Sequence, residues 1–536
     1  MANRLQPLNL SDFTGGLNLR SDPFQIAENE SPDMLNVEVD PSGGVRSRRG
    51  WTRWNTTAIT GGTWDPRAMH VWEQSSGVHR VLLANDGDVY AATAGTFAVL
   101  SNGVGNLVAD AAPHGAAFAE WGDTIYIACG SDNQAASWSG TGSATLLAAS
   151  GPTWQNDKTA PIGGYFPQAD LAVTHVNYMF VAGTEEDGTK YPNRVRFSHP
   201  NAPTDWAELD YVDILDGGGR ITALVSFQDH LLIFKQNSVW ALYGYDDTNF
   251  QLVNVTQSLG AWSAQTVATS GQGAYFFSWP EGVYEYRPSE GIFERSVQLK
   301  PIFRDGSFNP SALDETWLGY INNRLWFGAP YSTLTSADTA KVVFVWDPLL
   351  DAWTKFQCPN GCALGPFGQG HGGLGEFPLA AHREVAFVVS LDETASALDD
   401  LNGTPTGFST LYATRWLDAG WPTSKKSWRR PDFVVREASA QYDLQVDVYR
   451  DYDESDLDSS YVITVDTGSS GVTWNDGVTL WGAAGVTYGR APSGSRVTRG
   501  RTIGLARSVQ VQFRGEVGKV WAVNAAVMKY IMRRFR

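Results

Sequence analysis

The chain is poor in cysteine, in charge and in long apolar runs. Only three of its 536 residues are cysteine, at positions 129, 358 and 362. Three thiols are too few to staple a chain of this length, and an odd number argues against a disulfide framework. Cys358-Pro-Asn-Gly-Cys362 offers at most half of a tetrahedral zinc site, and no second Cys/His pair stands at matching spacing. The pair reads as a turn between strands, and no metal is expected. No stretch approaches the roughly 18 apolar residues of a membrane span, so no membrane insertion is expected. Met1 to Pro7 lacks the apolar core of a secretion signal, which points to a soluble protein made and assembled in a cytoplasm. There is no Gly-x-Ser-x-Gly elbow, phosphate-binding loop or His-Glu-x-x-His, and none of the eight histidines sits in a recognisable triad. The sequence therefore assigns no catalytic residue and no cofactor, and the chain is expected not to be an enzyme.

What the chain has in excess is glycine and aromatic residues. It carries 55 Gly and 21 Trp with only 18% charged residues, the composition of a turn-rich all-β protein. Three zones follow one another. Residues 1–55 are punctuated by Gly15-Gly16, Asp22-Pro23, Ser31-Pro32 and Gly43-Gly44, and read as an extended arm. Ser31 as N-cap and Pro32 at the first helical position predict a short helix over 31–37 within it. Phe13, Leu17, Leu19, Phe24 and Ile26 would not stay exposed on a free arm and must dock on this chain or on a neighbour.

Residues 56–404 repeat a unit of two or three short alternating strands, parted by turns rich in Asn, Asp and Gly. Arg80–Ala84, Asn85-Asp86-Gly87-Asp88, Val89–Ala91 is one example, and Ile321, Asn322-Asn323, Arg324–Phe327 another. Such repeats every 35–55 residues, roughly, mean blades stacked around an axis, because one blade alone buries neither face. We expect a β-propeller of about six blades, with seven as the alternative. Its Trp and Tyr rings read as packing between blades rather than as sugar platforms. Residues 405–536 have longer strands, as in Leu444-Gln-Val-Asp-Val-Tyr449, and read as a β-sandwich.

Charge is uneven. Residues 490–536 hold eleven Lys/Arg and one acid, Glu516, hence +10; against −17 for the whole chain this leaves −27 on residues 1–489. An acidic body disfavours adhesion to nucleic acid. The cluster Lys425, Lys426, Arg429 and Arg430 around Trp428 reads either as a charged, solvated strand start or as a contact for an acidic neighbour. Two further segments have bland readings: Thr473–Trp481, an imperfect Asp-box, as a hairpin turn, and the acids of 451–458 as a solvated loop rather than a Ca²⁺ site.

Four places carry a resemblance to a family: Phe13-Thr-Gly-Gly-Leu-Asn18, Gly43-Gly-Val-Arg-Ser-Arg-Arg-Gly-Trp51, the hairpin from Asn323 through Trp346-Asp-Pro348 to Trp353, and Phe513-Arg-Gly515 through Trp521 to Arg533-Arg-Phe-Arg536. Together they resemble the tail tubular protein B or nozzle-like virion proteins of short-tailed bacteriophages. The resemblance implies a structural protein of the virion tail, forming a homo-oligomeric ring, six copies being the expected number. That ring would form a nozzle or hub around the DNA exit channel, below the head-to-tail adaptor and in contact with it and other tail proteins. DNA would pass through the lumen without sequence-specific binding. Candidate subunit contacts are Phe13, Leu17 and Arg48 in the arm, Lys425 and Arg429, and the terminal Arg533, Arg534 and Arg536. The alternative is a minor tail or adsorption protein binding glycan on the host cell surface through propeller loops.

Overall fold

The computed structural model describes residues 4–532, apart from 24, 62, 94, 110–114, 149–164, 332–341, 359–363, 373–374, 392–396, 437–440 and 466–494. It is a seven-bladed β-propeller with a β-sandwich packed against its flank. Seven four-stranded antiparallel sheets follow one another, and six of them are consecutive in the chain. Their innermost strands are Pro66–Glu73, Ala117–Trp121, Gln168–His175, Ile221–Phe227, Val267–Thr269, Trp317–Ile321 and, for the seventh blade, Leu364–Gly372.

The repeated sequence unit is a blade hairpin: in blade six the two inner strands, Trp317–Ile321 and Arg324–Ala329, and in blade one the second and third, His79–Asn85 and Asp88–Thr93. Alternation buries one strand face against each neighbouring blade, and a two-residue turn with positive φ reverses the chain. At Asn322-Asn323 the φ angles are 50° and 56°, which asparagine tolerates and which matches the twist of the paired strands. Six apolar clusters each fill one gap between blades. Trp72, Leu82 and Val89 of blade one, for example, meet Ile125, Ile127 and Trp138 of blade two.

The seventh blade closes the ring with chain from both ends of the propeller. Its outermost strand is Thr52–Arg53, paired with Ser390 and Val389. Asn55, fully buried, accepts the Val388 N–H on its Oδ1 at 2.7 Å. The count is thus the seven given as the alternative to about six, and the fourth strand of this blade comes from within residues 1–55.

The arm is an integral part of the sandwich. Gln6–Leu10 and Val45–Ser47 both pair with the last strand, Ala522–Met532, and Met34–Leu35 pairs with Leu411–Ala413. One sheet orders the strands Ser495–Arg499, Asp432–Arg436, Ala522–Met532, Lys426–Trp428 and Gly504–Ala506. The other contains Met34–Leu35, Leu411–Ala413, Val509–Gly515, Tyr442–Arg450 and Asp453–Val465. The boundaries thus shift: the propeller spans 52–390, and the second unit is built from 6–47 together with 411–532. The helix expected over 31–37 is absent. Tertiary pairing overrides the capping signal: Glu30–Ser31, Met34–Leu35 and Val37–Val39 are strands, Asn36 has φ +53°, and its N–H donates to the Lys355 carbonyl of blade six. One continuous core joins the sandwich to blades five and six, running from Phe13, Leu17 and Tyr412 to Phe327, Trp346 and Trp353.

Candidate functional site

Arg48 is buried at the meeting point of the arm, blade six and the segment leaving the propeller. Its guanidinium donates two parallel bonds to Asp399 (2.8 and 2.6 Å), one to Asn36 Oδ1 (2.9 Å) and one to the Gln357 carbonyl (3.2 Å). It lies between the rings of Phe408 and Trp51, 3.7 and 4.1 Å from their centroids. Asp399 Oδ1 also accepts the Trp51 N–H. Phe13 packs edge-on against Tyr412 at 5.3 Å, and Leu17 is fully buried. These three expected subunit contacts are therefore corrected: a side chain whose surface is used inside its own chain presents nothing to a neighbour. Arg533, Arg534 and Arg536 lie outside the described residues, as do Cys362 and the segment 473–481.

The basic cluster divides in two. Lys426 is buried, and its Nζ donates to the carbonyls of Trp421 (2.6 Å), Ser424 (3.0 Å) and Arg507 (2.6 Å), while burial lowers its pKa. It is an internal tie. Lys425, Arg429 and Arg430 are exposed. They border the outer face of the terminal sheet, because strand alternation sends Trp428, Phe433, Val435 and Met528 into the core and their neighbours outward. Val434 and Val497 sit opposite each other on that outer face, with Val527, Ile531 and Leu505 in adjoining rows. Val497 is 63% and Leu505 41% exposed. Arg499, Arg501 and Arg507 complete the rim. Asp432, between Arg499 at 3.8 Å and the Lys529 ammonium, is the single acid on these strands' outward positions. Sequence reasoning found the charges but not the aliphatic centre, whose signal was the alternation in 431–436 and 522–532.

The propeller axis holds a cavity of about 480 Å³ bordered by all seven inner strands. Its wall is mainly small or apolar, with Ala68, Met69, Phe118, Leu171, Leu318 and Phe367 among the lining residues. His70 and Glu120 form a 2.7 Å pair at its margin. The acids of 451–458 mostly enter strand Asp453–Val465, where Asp458 pairs with Arg450 at 2.6 Å. Among the described residues no three His, Cys, Asp or Glu side chains group in a way that could hold a metal.

Two buried histidines set a pH dependence. His175, bonded through Nδ1 to Ser226 Oγ at 2.9 Å, is pushed down to about 4 by burial, aided by the neighbouring His230 and opposed by Asp229. Burial alone pushes His382 down to about 4, and its Nδ1 accepts the N–H groups of Glu384 and Val385. Both values lie below that of a free histidine, so the unfolded chain takes up these protons first as pH falls. Stability from this source is complete above about pH 6.5 and is lost toward pH 4, with about 2 kcal/mol per histidine gone by pH 5. Urea unfolding between pH 7.5 and 5 is expected to show this drop, and the His175→Asn/His382→Asn variant to flatten it.

No protein-family model matches the sequence, and no curated protein matches it. Among solved structures the chain is similar to BBS1N, seen in complex with ARL6DN, with 12% identity and a TM-score of 0.38 over 66% of this chain and 100% of that one. It is similar to YCF48 bound to D1 peptide, with 10% identity and a TM-score of 0.38 over 65% and 98%. A further likeness is to the extracellular domain of the putative one component system BT4673 from B. thetaiotaomicron, with 9% identity and a TM-score of 0.36 over 74% and 44%.

Proposed function

We propose that the chain is a non-enzymatic structural subunit of a bacteriophage tail, one of several copies forming a ring around the DNA exit channel below the head-to-tail adaptor. The observation that carries this reading is the exposed sheet face of the sandwich: an aliphatic centre with an almost wholly basic rim, on a chain whose first 489 residues carry −27. An assembly surface has this composition, apolar in the middle and charged at the edge. The sequence resemblance supplies the virion setting.

The axial cavity supports a particular form of the ring. A space of about 480 Å³ is the size of a small-molecule pocket. A DNA duplex, whose major groove alone is about 12 Å wide, does not fit through it. The lumen would therefore lie between copies rather than through any one propeller, and an acidic wall would let DNA slide without binding. The test is cryo-electron microscopy of intact particles with this chain located in the tail density. The expected result is a closed ring on the channel axis. A peripheral position, off the axis, overturns the reading in favour of an adsorption protein with glycan-binding loops.

A further inference from the structure

In an antiparallel four-stranded blade, the turn between the first two strands and the turn between the last two lie on the same rim of the propeller. On that rim Asp123, Asp229, Glu290 and Asp351 are exposed, Asp229 by 80% and Glu290 by 59%. Of the arginines at these turns, Arg287 is engaged within its own blade by Glu285 and Glu290, and Arg324 by Asp347 and Glu38. The rim thus offers carboxylates spread over four blades, whereas the outer face of the terminal sheet offers Lys425, Arg429, Arg430, Arg499 and Arg507 around Val434, Val497, Val527, Ile531 and Leu505.

We propose that the sheet face of one copy seats the acidic turn rim of a second copy, joining copies head to tail. Charge complementarity selects this occupant: the chain itself supplies the acidic surface that its basic face requires. The aliphatic centre favours a protein over nucleic acid, because phosphates gain nothing from valine and isoleucine, whereas a protein surface buries them. The two surfaces differ, so the contact is heterologous, the kind that continues until a ring closes. The inference rests on the ring reading above and names the surfaces that would make it.

The test uses the full chain in sedimentation velocity at about 0.05 M and about 0.5 M salt, since exposed pairs are screened at the higher value. Self-association is expected at low salt and at least tenfold weaker at high salt. Lys425→Glu/Arg429→Glu is expected to weaken it at least tenfold with circular dichroism unchanged. Asp123→Lys/Asp229→Lys is expected to do the same, and mixing the two variant chains to restore association between them. A chain that stays monomeric at low salt, or reversals that leave association unchanged, overturns the proposal. So does binding of a short DNA duplex that is lost in Lys425→Glu/Arg429→Glu, which would assign the face to nucleic acid. Cross-linking in particles separates the two readings: a ring joined through other surfaces sinks this contact and leaves the ring standing, whereas an off-axis position sinks the ring.

Discussion

Replacing Arg48 by methionine is expected to cost about 3–5 kcal/mol of unfolding free energy, the usual result of stripping one partner from a buried ion pair. The Arg48 and Asp399 side chains are 1% and 0% exposed, so Asp399 would keep its charge with no water to solvate it. Asn36 and the Gln357 carbonyl would lose a donor in the same stroke. The double variant Arg48→Met/Asp399→Leu is expected to recover more than half of the loss, because removing both charges abolishes the uncompensated carboxylate. Urea midpoints for the two single variants and the double variant close the cycle. A single-variant cost below about 1 kcal/mol would mean that water reaches the pair, and would undo the account of the junction.

Gly50→Ala is the second substitution with a large expected effect. A Cβ at this position would stand 1.8 Å from the Leu398 carbonyl oxygen and 2.4 Å from its carbon. These are backbone atoms, so no side chain can swing away. Two bonds hold the strands around this point, from the Asp400 N–H to the Trp51 carbonyl and from the Arg53 N–H to the Asp400 carbonyl. Forcing them apart would pull Thr52–Arg53 from the seventh blade. We expect a loss of about 3 kcal/mol or more, at the upper end for overpacking, and faster proteolysis within blades one and seven than within blades three and four. Limited proteolysis with mass mapping reads this directly. Unchanged stability, or cuts spread evenly over the blades, would show that the clasp does not hold the ring.

The parts of this fold that the sequence made legible are those in which local and tertiary preferences agree. At Ile321–Phe327 the alternation, the Asn-Asn turn and the observed hairpin coincide. The same agreement carries the alternation at Leu444–Tyr449 into strand Tyr442–Arg450. Residues 31–37 show the opposite case. Ser-Pro is a fair helix start, yet Ser31 donates its hydroxyl to the Ala413 carbonyl and the segment pairs with residues more than 300 positions away. Nothing within a short window reports such a partner. The basic cluster was half legible for a related reason. Charge and spacing mark Lys425, Lys426 and Arg429 alike, but three carbonyls converging from two other segments bury only Lys426. Phe13 and Leu17, apolar side chains on a polar arm, need cover, and this chain's own Tyr412 and blade six supply it.

The closure of blade seven also dictates an order of events during synthesis. Thr52–Arg53 leaves the ribosome early, and its partners Val389–Ser390 follow more than 300 residues later. At about 5–20 residues per second that interval is roughly 15–70 s. The strand Ala522–Met532, which pairs with Gln6–Leu10 and Val45–Ser47, emerges more than 470 residues after them. Six blades can therefore stack while Gln6–Leu10 and Val45–Ser47 wait for their partner strand and Phe13 for Tyr412. Until that strand is made, the nascent chain offers unpaired segments to holdase chaperones, and a product truncated before Ala522 keeps them unpaired.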